Sequence, residues 1–297
     1  MLLHSQSETK KPSDIQQNPD IPDIHNHQKK IAVINDLTGF GRCSVAVSLP
    51  IISEMGIQCC FLPTAILSNQ TGFDSYYLYD FTKHFDSYAK EWAKLHLRFN
   101  GIATGFLGSI PQVDLTASFI KEFREAGTFV LVDPVMGDNG KRYPVFSDEH
   151  CQRIRELVML SNLTTPNLTE ACLLTGHDWH EGSWKEEELL DLSKEIASLG
   201  PSKVVISGIP DGDFVTNYIY DKGRTSSDRR PRLGGSRNGT GDIFASILIA
   251  DAVNHVSLET SVKKASSFIQ KCILRSLELE IPAEDGVAFE EELRNLR

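Results

Sequence analysis

Ile31-Ala32-Val33-Ile34, then Thr38-Gly39-Phe40-Gly41-Arg42-Cys43-Ser44, then Ile57-Gln58-Cys59-Cys60-Phe61-Leu62 decide the fold of this chain. A short apolar run bounded by turn residues reads as a strand buried on both faces. The Gly-containing loop ends the first strand. The stretch from there to Met55 is amphipathic and reads as a helix. Ile57 to Leu62 then reads as a second buried strand. In a strand, neighbouring side chains point to opposite faces, so Cys59 and Cys60 should fill one side of the sheet each.

The same alternation continues outward. Gly101-Ile102-Ala103-Thr104-Gly105 and Thr128-Phe129-Val130-Leu131-Val132-Asp133 are further apolar runs that end in polar or Gly residues. A helical pattern lies between them, around Leu115 to Ala126. Another spans Glu186 to Leu199 and leads into the strand-like Lys203-Val204-Val205-Ile206-Ser207. Phe214 to Tyr220 alternates like a half-exposed strand, and the polar Asp221 to Arg230 is expected as a turn or loop. Gly241 to Leu277 reads as two helices around Val256-Ser257. Strands alternating with helices predict an α/β fold in three layers, a mostly parallel central sheet with helices on both faces. Ligands of such sheets sit at the carboxyl ends of the strands. Residues 1–28 are rich in Gln, Asn, Ser, Pro, Lys and Asp and read as a disordered tail. With no repeat and no linker beyond it, residues 29–297 are expected as one domain.

The net charge of −10 over 297 residues argues against general nucleic-acid binding. No apolar run approaches the length of a membrane span, and Met1-Leu2-Leu3-His4 leads into polar residues, not a signal-peptide core. The cysteines form no Cys-x-x-Cys pair, so reduced thiols and a cytoplasmic place are expected. His177-x-x-His180 lies in a polar loop with no further ligand pattern.

Chemistry concentrates in Asn238-Gly239-Thr240-Gly241-Asp242, which runs straight into Ile243-Phe244-Ala245-Ser246-Ile247-Leu248-Ile249-Ala250. Glycines let the backbone turn its N–H groups toward one point, and a helix start adds unpaired donors and the positive end of its dipole. Together they make an anion site. Asp242 cannot bind that anion. A carboxylate beside a phosphate site can instead take the proton of an attacking hydroxyl. The alternative is a helix cap, with Thr240 or Asp242 bonding to the backbone.

Other motifs fall at strand ends. Asp133-Pro134-Val135-Met136-Gly137-Asp138 closes an apolar strand, as a functional group or a plain Asp-Pro turn. In Thr164-Thr165-Pro166-Asn167-Leu168-Thr169-Glu170, Asn167 is placed to cap a helix. Glu170 either closes a capping box or holds a magnesium water. Thr38 to Ser44 imitates a dinucleotide-binding turn, but Ser44 stands where the third glycine belongs and the second strand lacks a terminal acid. No Walker A sequence occurs.

The set Gly239-Thr240-Gly241-Asp242, Asp133 to Gly137, Thr165-Pro166-Asn167-x-x-Glu170 and Ser68-Asn69-Gln70-Thr71 resembles the pyridoxal kinase group of the ribokinase superfamily, from Lys30 to the C-terminus. The resemblance implies a ribokinase-like fold and ATP-dependent phosphorylation of a B6 vitamer at its 5′-hydroxymethyl group. It makes Asp242 the base and Gly239, Thr240 and Gly241 the donors to the migrating phosphate. Asp36, Ser68, Thr71 and Phe106 match positions around the pyridine ring. Asp138, Tyr143, Asn167 and Ser207 match the ATP side. Asp133, Thr165 and Glu170 match a group that holds Mg2+, with K+ as a second cation. A homodimer is implied by analogy. Two departures stand out: Asp36-Leu37 replaces the group's Ser-His, and Asn238 stands where some members carry a Cys. Hydroxymethylpyrimidine kinases share most of these motifs and are the nearest alternative. A non-catalytic B6-vitamer binding protein is the alternative of another class, and it would have no use for a base at position 242.

Overall fold

The computed structural model describes residues 24–297. Most of the expected tail therefore lies outside the described residues. Ile24–Asn26 already forms a short 3-10 turn. The Asn26 side chain donates to the His96 carbonyl and accepts from the Arg98 N–H.

The expected alternation is present. Strand β1 (Lys30–Thr38) is followed by α1 (Val45–Glu54), β2 (Gln58–Leu67), β3 (Leu78–Asp80), α2 (Thr82–Lys94) and β4 (Gly101–Thr104). Next come α3 (Ile110–Phe123), β5 (Phe129–Val132), the two-residue strands β6 (Gly137–Asp138) and β7 (Lys141–Arg142), and α4 (Asp148–Val158). Then follow β8 (Leu163–Thr164), α5 (Leu168–Thr175), α6 (Glu186–Leu199) and β9 (Lys203–Asp211). The chain closes with β10 (Phe214–Asp221), β11 (Arg224–Pro231), α7 (Thr240–Val253) and α8 (Leu258–Glu278). The main sheet has the order β11-β10-β9-β8-β5-β4-β1-β2-β3. From β2 to β9 its neighbours pair in parallel, while β3, β10 and β11 are antiparallel additions at the edges.

Burial on both faces explains the unbroken apolar strands. Ala32 and Ile34 of β1 pack into one core with α2 to α6, while Ile31 and Val33 pack into the other with α1, α7 and α8. Cys60 and Cys59 divide between these two cores in the same way. The two helices expected from Gly241 to Leu277 are α7 and α8, and the Ser257 hydroxyl caps α8 by accepting from the Thr260 N–H.

One expectation is corrected. Asp221 to Arg230 is no loop: it turns at Lys222 and Gly223, both with positive φ, and returns as β11 paired to β10. The polar sequence suits this because β11 is the sheet edge, where charged side chains are favoured and one face needs no core. Helices α2 and α4 and the short edge strand β3 were not anticipated. Among the described residues no helix is long and apolar enough to cross a membrane.

Candidate active site

The parallel strands end on one side of the sheet, and the candidate residues collect there. Asp36 lies near the end of β1 and Ser68 just after β2, Phe106 follows β4 and Asp133 follows β5, Thr165 follows β8, and Ser207 lies within β9. The strand order reverses around β1, which lies between β2 and β4. Such a switch point opens a crevice at the strand ends. Helix α7 brings the Gly239 loop to it.

Asp242 is not a cap. Gly239 is the residue before α7, and no side chain caps that helix end. Asp242 Oδ2 instead accepts from the Ser44 N–H at 2.8 Å and Oδ1 from Asn35 Nδ2 at 3.1 Å. Burial pushes its carboxyl up to about 6, against the lowering effect of the Ser44 N–H, with the nearby Asp36 charge adding to the rise. A carboxyl tuned toward neutral pH suits a general base. The Thr240 hydroxyl donates to the Arg237 carbonyl at 3.2 Å.

The two glycines differ. Gly239 has φ +79°, and a Cβ there would stand 2.0 Å from the Arg42 carbonyl oxygen. Gly241 is exposed, and a Cβ there would meet nothing. Its place in the first turn of α7 leaves its N–H without an intrahelical acceptor and open to an anion.

Asp133 and Asp242 border one small cavity of about 20 Å³, with Asn35, Thr104 and Ser246 also in its wall. Burial, and then the Asp242 charge, push Asp133 up to about 7, although the Thr165 hydroxyl donates to it at 3.2 Å. Glu170 is raised well above the ordinary range by burial and by Asp133. Its Oε2 accepts from the Asn167 N–H and its Oε1 from the Met136 N–H, so the capping box is real. The charges that raise these groups are other carboxylates, a balance a cation would relieve. Among the described residues, no group of three or more His, Cys, Asp or Glu side chains is placed to hold a metal ion by itself.

The β6–β7 hairpin carries the remaining candidates. Asp138 is exposed and folds back onto the N–H and side chain of Asn139. The Tyr143 N–H donates to the Met136 carbonyl, and burial together with Asp138 pushes its hydroxyl up to about 12. Asn167 ties this hairpin to the sheet: its Nδ2 donates to the Gly137 carbonyl, and its backbone pairs with Ser207.

On the other side of the crevice the Ser68 hydroxyl donates to Asn69 Oδ1 and accepts from the Tyr77 N–H, while Thr71 is exposed. Phe106 is half-buried, edge-on to Phe146. Asp36 has a different set of partners from a ring-facing acid. It is 5% exposed. One oxygen accepts from the Thr38 hydroxyl at 2.6 Å, the other from the Ser44 hydroxyl at 2.7 Å. His177 and His180 pair with Glu195 and Glu188 at the surface, away from any cluster.

Sequence reasoning missed Asn35, Ser44 and a C-terminal brace. Gln70 and Asn238 both donate to the Glu284 carbonyl, and Arg42 donates to the Asp285 carbonyl. Arg237 donates to the carbonyls of Ile281, Pro282 and Gly286. One short segment thus braces three loops of the site. Only Ser44, a natural cap residue ahead of an apolar helix, carried a readable signal.

Residues 49–285 match the family model described as phosphomethylpyrimidine kinase. A hydroxymethylpyrimidine/phosphomethylpyrimidine kinase of Aquifex aeolicus is 26% identical over 182 residues, 60% of this chain and 69% of that protein. A pyridoxine/pyridoxal/pyridoxamine kinase of Bordetella avium is 26% identical over 268 residues, 83% of this chain and 86% of that protein. A Bacteroides thetaiotaomicron crystal structure named for a phosphomethylpyrimidine kinase, in an orthorhombic form with pyridoxal, superposes with a TM-score of 0.87. It is 35% identical and covers 91% of this chain and 96% of that one. The fold is ribokinase-like.

Proposed function

This chain belongs to the phosphomethylpyrimidine kinase family, and on that premise we propose that it transfers the γ-phosphoryl group of ATP to the 5′-hydroxymethyl group of pyridoxal, pyridoxamine or pyridoxine. Kinase chemistry is common to the relatives just named; the ring is the open choice. The observation that carries the B6 reading is the pyridoxal in the crystals of the 35%-identical Bacteroides protein. The Ser68-Asn69-Gln70-Thr71 loop, so close to the Ser-Asn-His-Thr of pyridoxal kinases, supports it. The Aquifex relative and the family model favour a second reading, phosphorylation of hydroxymethylpyrimidine.

In this reading Asp242 removes the proton of the substrate hydroxyl as its oxygen bonds to the γ-phosphorus, and the bond to the leaving ADP oxygen breaks. The N–H groups of Gly239, Thr240 and Gly241 receive the charge on the migrating phosphoryl group. Ser68, Thr71 and Phe106 surround the ring. Asp138, Tyr143, Asn167 and Ser207 face the nucleotide. Asp133, Glu170 and Thr165 would hold Mg2+ through carboxylate and hydroxyl oxygens, and K+ would be a second cation of the reaction. A cation held there would supply positive charge to offset that of the phosphates. A cytoplasmic homodimer completes the reading.

The test is ATP consumption with pyridoxal, pyridoxamine, pyridoxine and hydroxymethylpyrimidine side by side. The proposal expects a B6 vitamer to have the highest kcat/KM. A clear preference for the pyrimidine transfers the chain to the second reading, and vitamer binding without turnover overturns both.

A further inference from the structure

Asn35 sits 4% exposed at the carboxyl end of β1, between Asp242 and the loop that follows β4. Its Oδ1 accepts two backbone N–H groups, from Asp36 and from Phe106, each at 2.9 Å. That leaves no freedom in the amide. Turning it over would aim its NH2 at two N–H donors, so Nδ2 must face Asp242 Oδ1, 3.1 Å away. The backbone is shaped to allow this. The β1–β2 ladder shifts register here, with Asn35 paired to Pro63 and Leu37 to Ile66. Gly105 lies directly on the amide: a Cβ there would stand 2.4 Å from the Asn35 side-chain carbon and nitrogen. Only a residue without Cβ lets the Phe106 N–H come down onto Oδ1.

We propose that Asn35 is a positioning residue of the phosphoryl-transfer reaction, one that fixes the orientation of Asp242 and couples it to the Gly105–Phe106 wall of the ring pocket. This rests on the reading of Asp242 as the base. With Asn35 on one oxygen and the Ser44 N–H on the other, the carboxylate cannot rotate. Its free lone pairs keep one direction, toward the place where the hydroxyl must arrive. Pre-orientation of this kind matters because a misplacement of about 1 Å can cost roughly a hundredfold in rate. The other titratable groups acting on this carboxylate are Asp36 from β1, Asp133 after β5 and the Cys43 thiol of the β1–α1 loop. Among the described residues none of the three hydrogen-bonds to it; its donors are Asn35 Nδ2 and the Ser44 N–H.

The decisive variant is Asn35→Asp. It keeps an acceptor for the Asp36 and Phe106 N–H groups, loses the donor to Asp242 and adds a carboxylate beside it. The expected result is a fall in kcat of about ten- to a hundredfold with KM for ATP within about twofold of native. The acid limb of kcat against pH should move upward, because the carboxylate loses a donor and gains a charged neighbour. Gly105→Ala, which pushes on the amide without changing its chemistry, should move kcat in the same direction. A loss of thermal stability with native kcat and a native acid limb would mean that Asn35 only holds the fold, and overturns the proposal. If Asn35→Asp does not fold, Gly105→Ala decides on the same readouts. Titration of the Asp242 carboxyl by 13C NMR, with Asp242→Asn as the assignment control, needs no turnover. An unchanged midpoint in Asn35→Asp overturns the coupling even if none of the tested alcohols is a substrate. Native protein that phosphorylates none of them counts against the functional reading alone.

Discussion

The Ser44 backbone N–H donates to the Asp242 carboxylate at 2.8 Å across 198 positions of sequence. Ser44 holds φ +57° to do so, and Arg42 before it holds φ +42°. Positive φ costs a non-glycine residue about 1–3 kcal/mol and persists only where the surroundings over-determine it. Here they do. The Ser44 hydroxyl donates to Asp36, and the Arg42 carbonyl lies against Gly239. The loop after the first strand is therefore bent around the start of α7, and the bend aims a donor at the candidate base.

Asp242→Asn should remove the base and leave the nucleotide side intact. The expected loss in kcat is about 10²- to 10⁴-fold, with ATP affinity by calorimetry close to native. Near-native kcat would assign the proton transfer to another group.

The rate should follow the ionisation of Asp242. Burial holds this carboxyl at about 6, so kcat/KM is expected to rise with pH through that value and level off above it. A profile flat from pH 5 to 8 would contradict the assignment.

The same raised carboxyls make a stability prediction of definite sign. Asp133 titrates at about 7 in the folded chain against an ordinary 3.8, so the folded state binds its proton more tightly than the unfolded state. Its contribution is fully present below about pH 4 and is lost as pH rises through 7. Thermal unfolding of native protein without cations should lose more stability between pH 5 and 8 than Asp133→Asn does. Added Mg2+ and nucleotide should narrow that gap. Equal slopes for the two proteins would show that Asp133 is not held neutral.

Gly239→Ala and Gly241→Ala should separate folding from chemistry. The first places a methyl group 2.0 Å from a carbonyl at positive φ, and strongly reduced folding yield is expected. The second meets open space, so its melting temperature should stay near native while kcat falls through crowding of the phosphoryl site. Similar melting temperatures for the two variants would refute the distinction.

Asp36→Ser tests whether this acid reads the ring or holds the loop. Both its oxygens already take hydroxyl donors, from Thr38 and Ser44. The expected outcome is a proportionate loss of kcat for all three vitamers, through a loosened Ser44. A loss confined to one vitamer, with the melting temperature unchanged, would restore a ring contact.

Much of the fold was legible because its signals are local. Apolar runs such as Ile31 to Ile34 and Val130 to Val132 are continuous because helices cover both faces of the sheet, and continuity survives in sequence. The capping box of Asn167 and Glu170 joins residues three positions apart and was readable for the same reason. Strand β11 was missed because an edge strand owes its form to its partner, here β10, and not to its own polar side chains. Asp36 falls near the end of β1, yet the direction in which its side chain points was not in the sequence.

The sequence by itself determined the strand–helix alternation, the glycine loop entering α7 and the carboxylate in its first turn. These follow from periodicity and backbone freedom over a few neighbouring residues. Only the tertiary structure decided what that carboxylate does. Asn35 and Ser44 reach Asp242 across 207 and 198 positions, and contacts of that span depend on how β1, its loop and α7 pack together. Without them Asp242 would read as an ordinary helix-start acid; with them, it is held on both oxygens and its proton affinity is set by burial among other carboxylates.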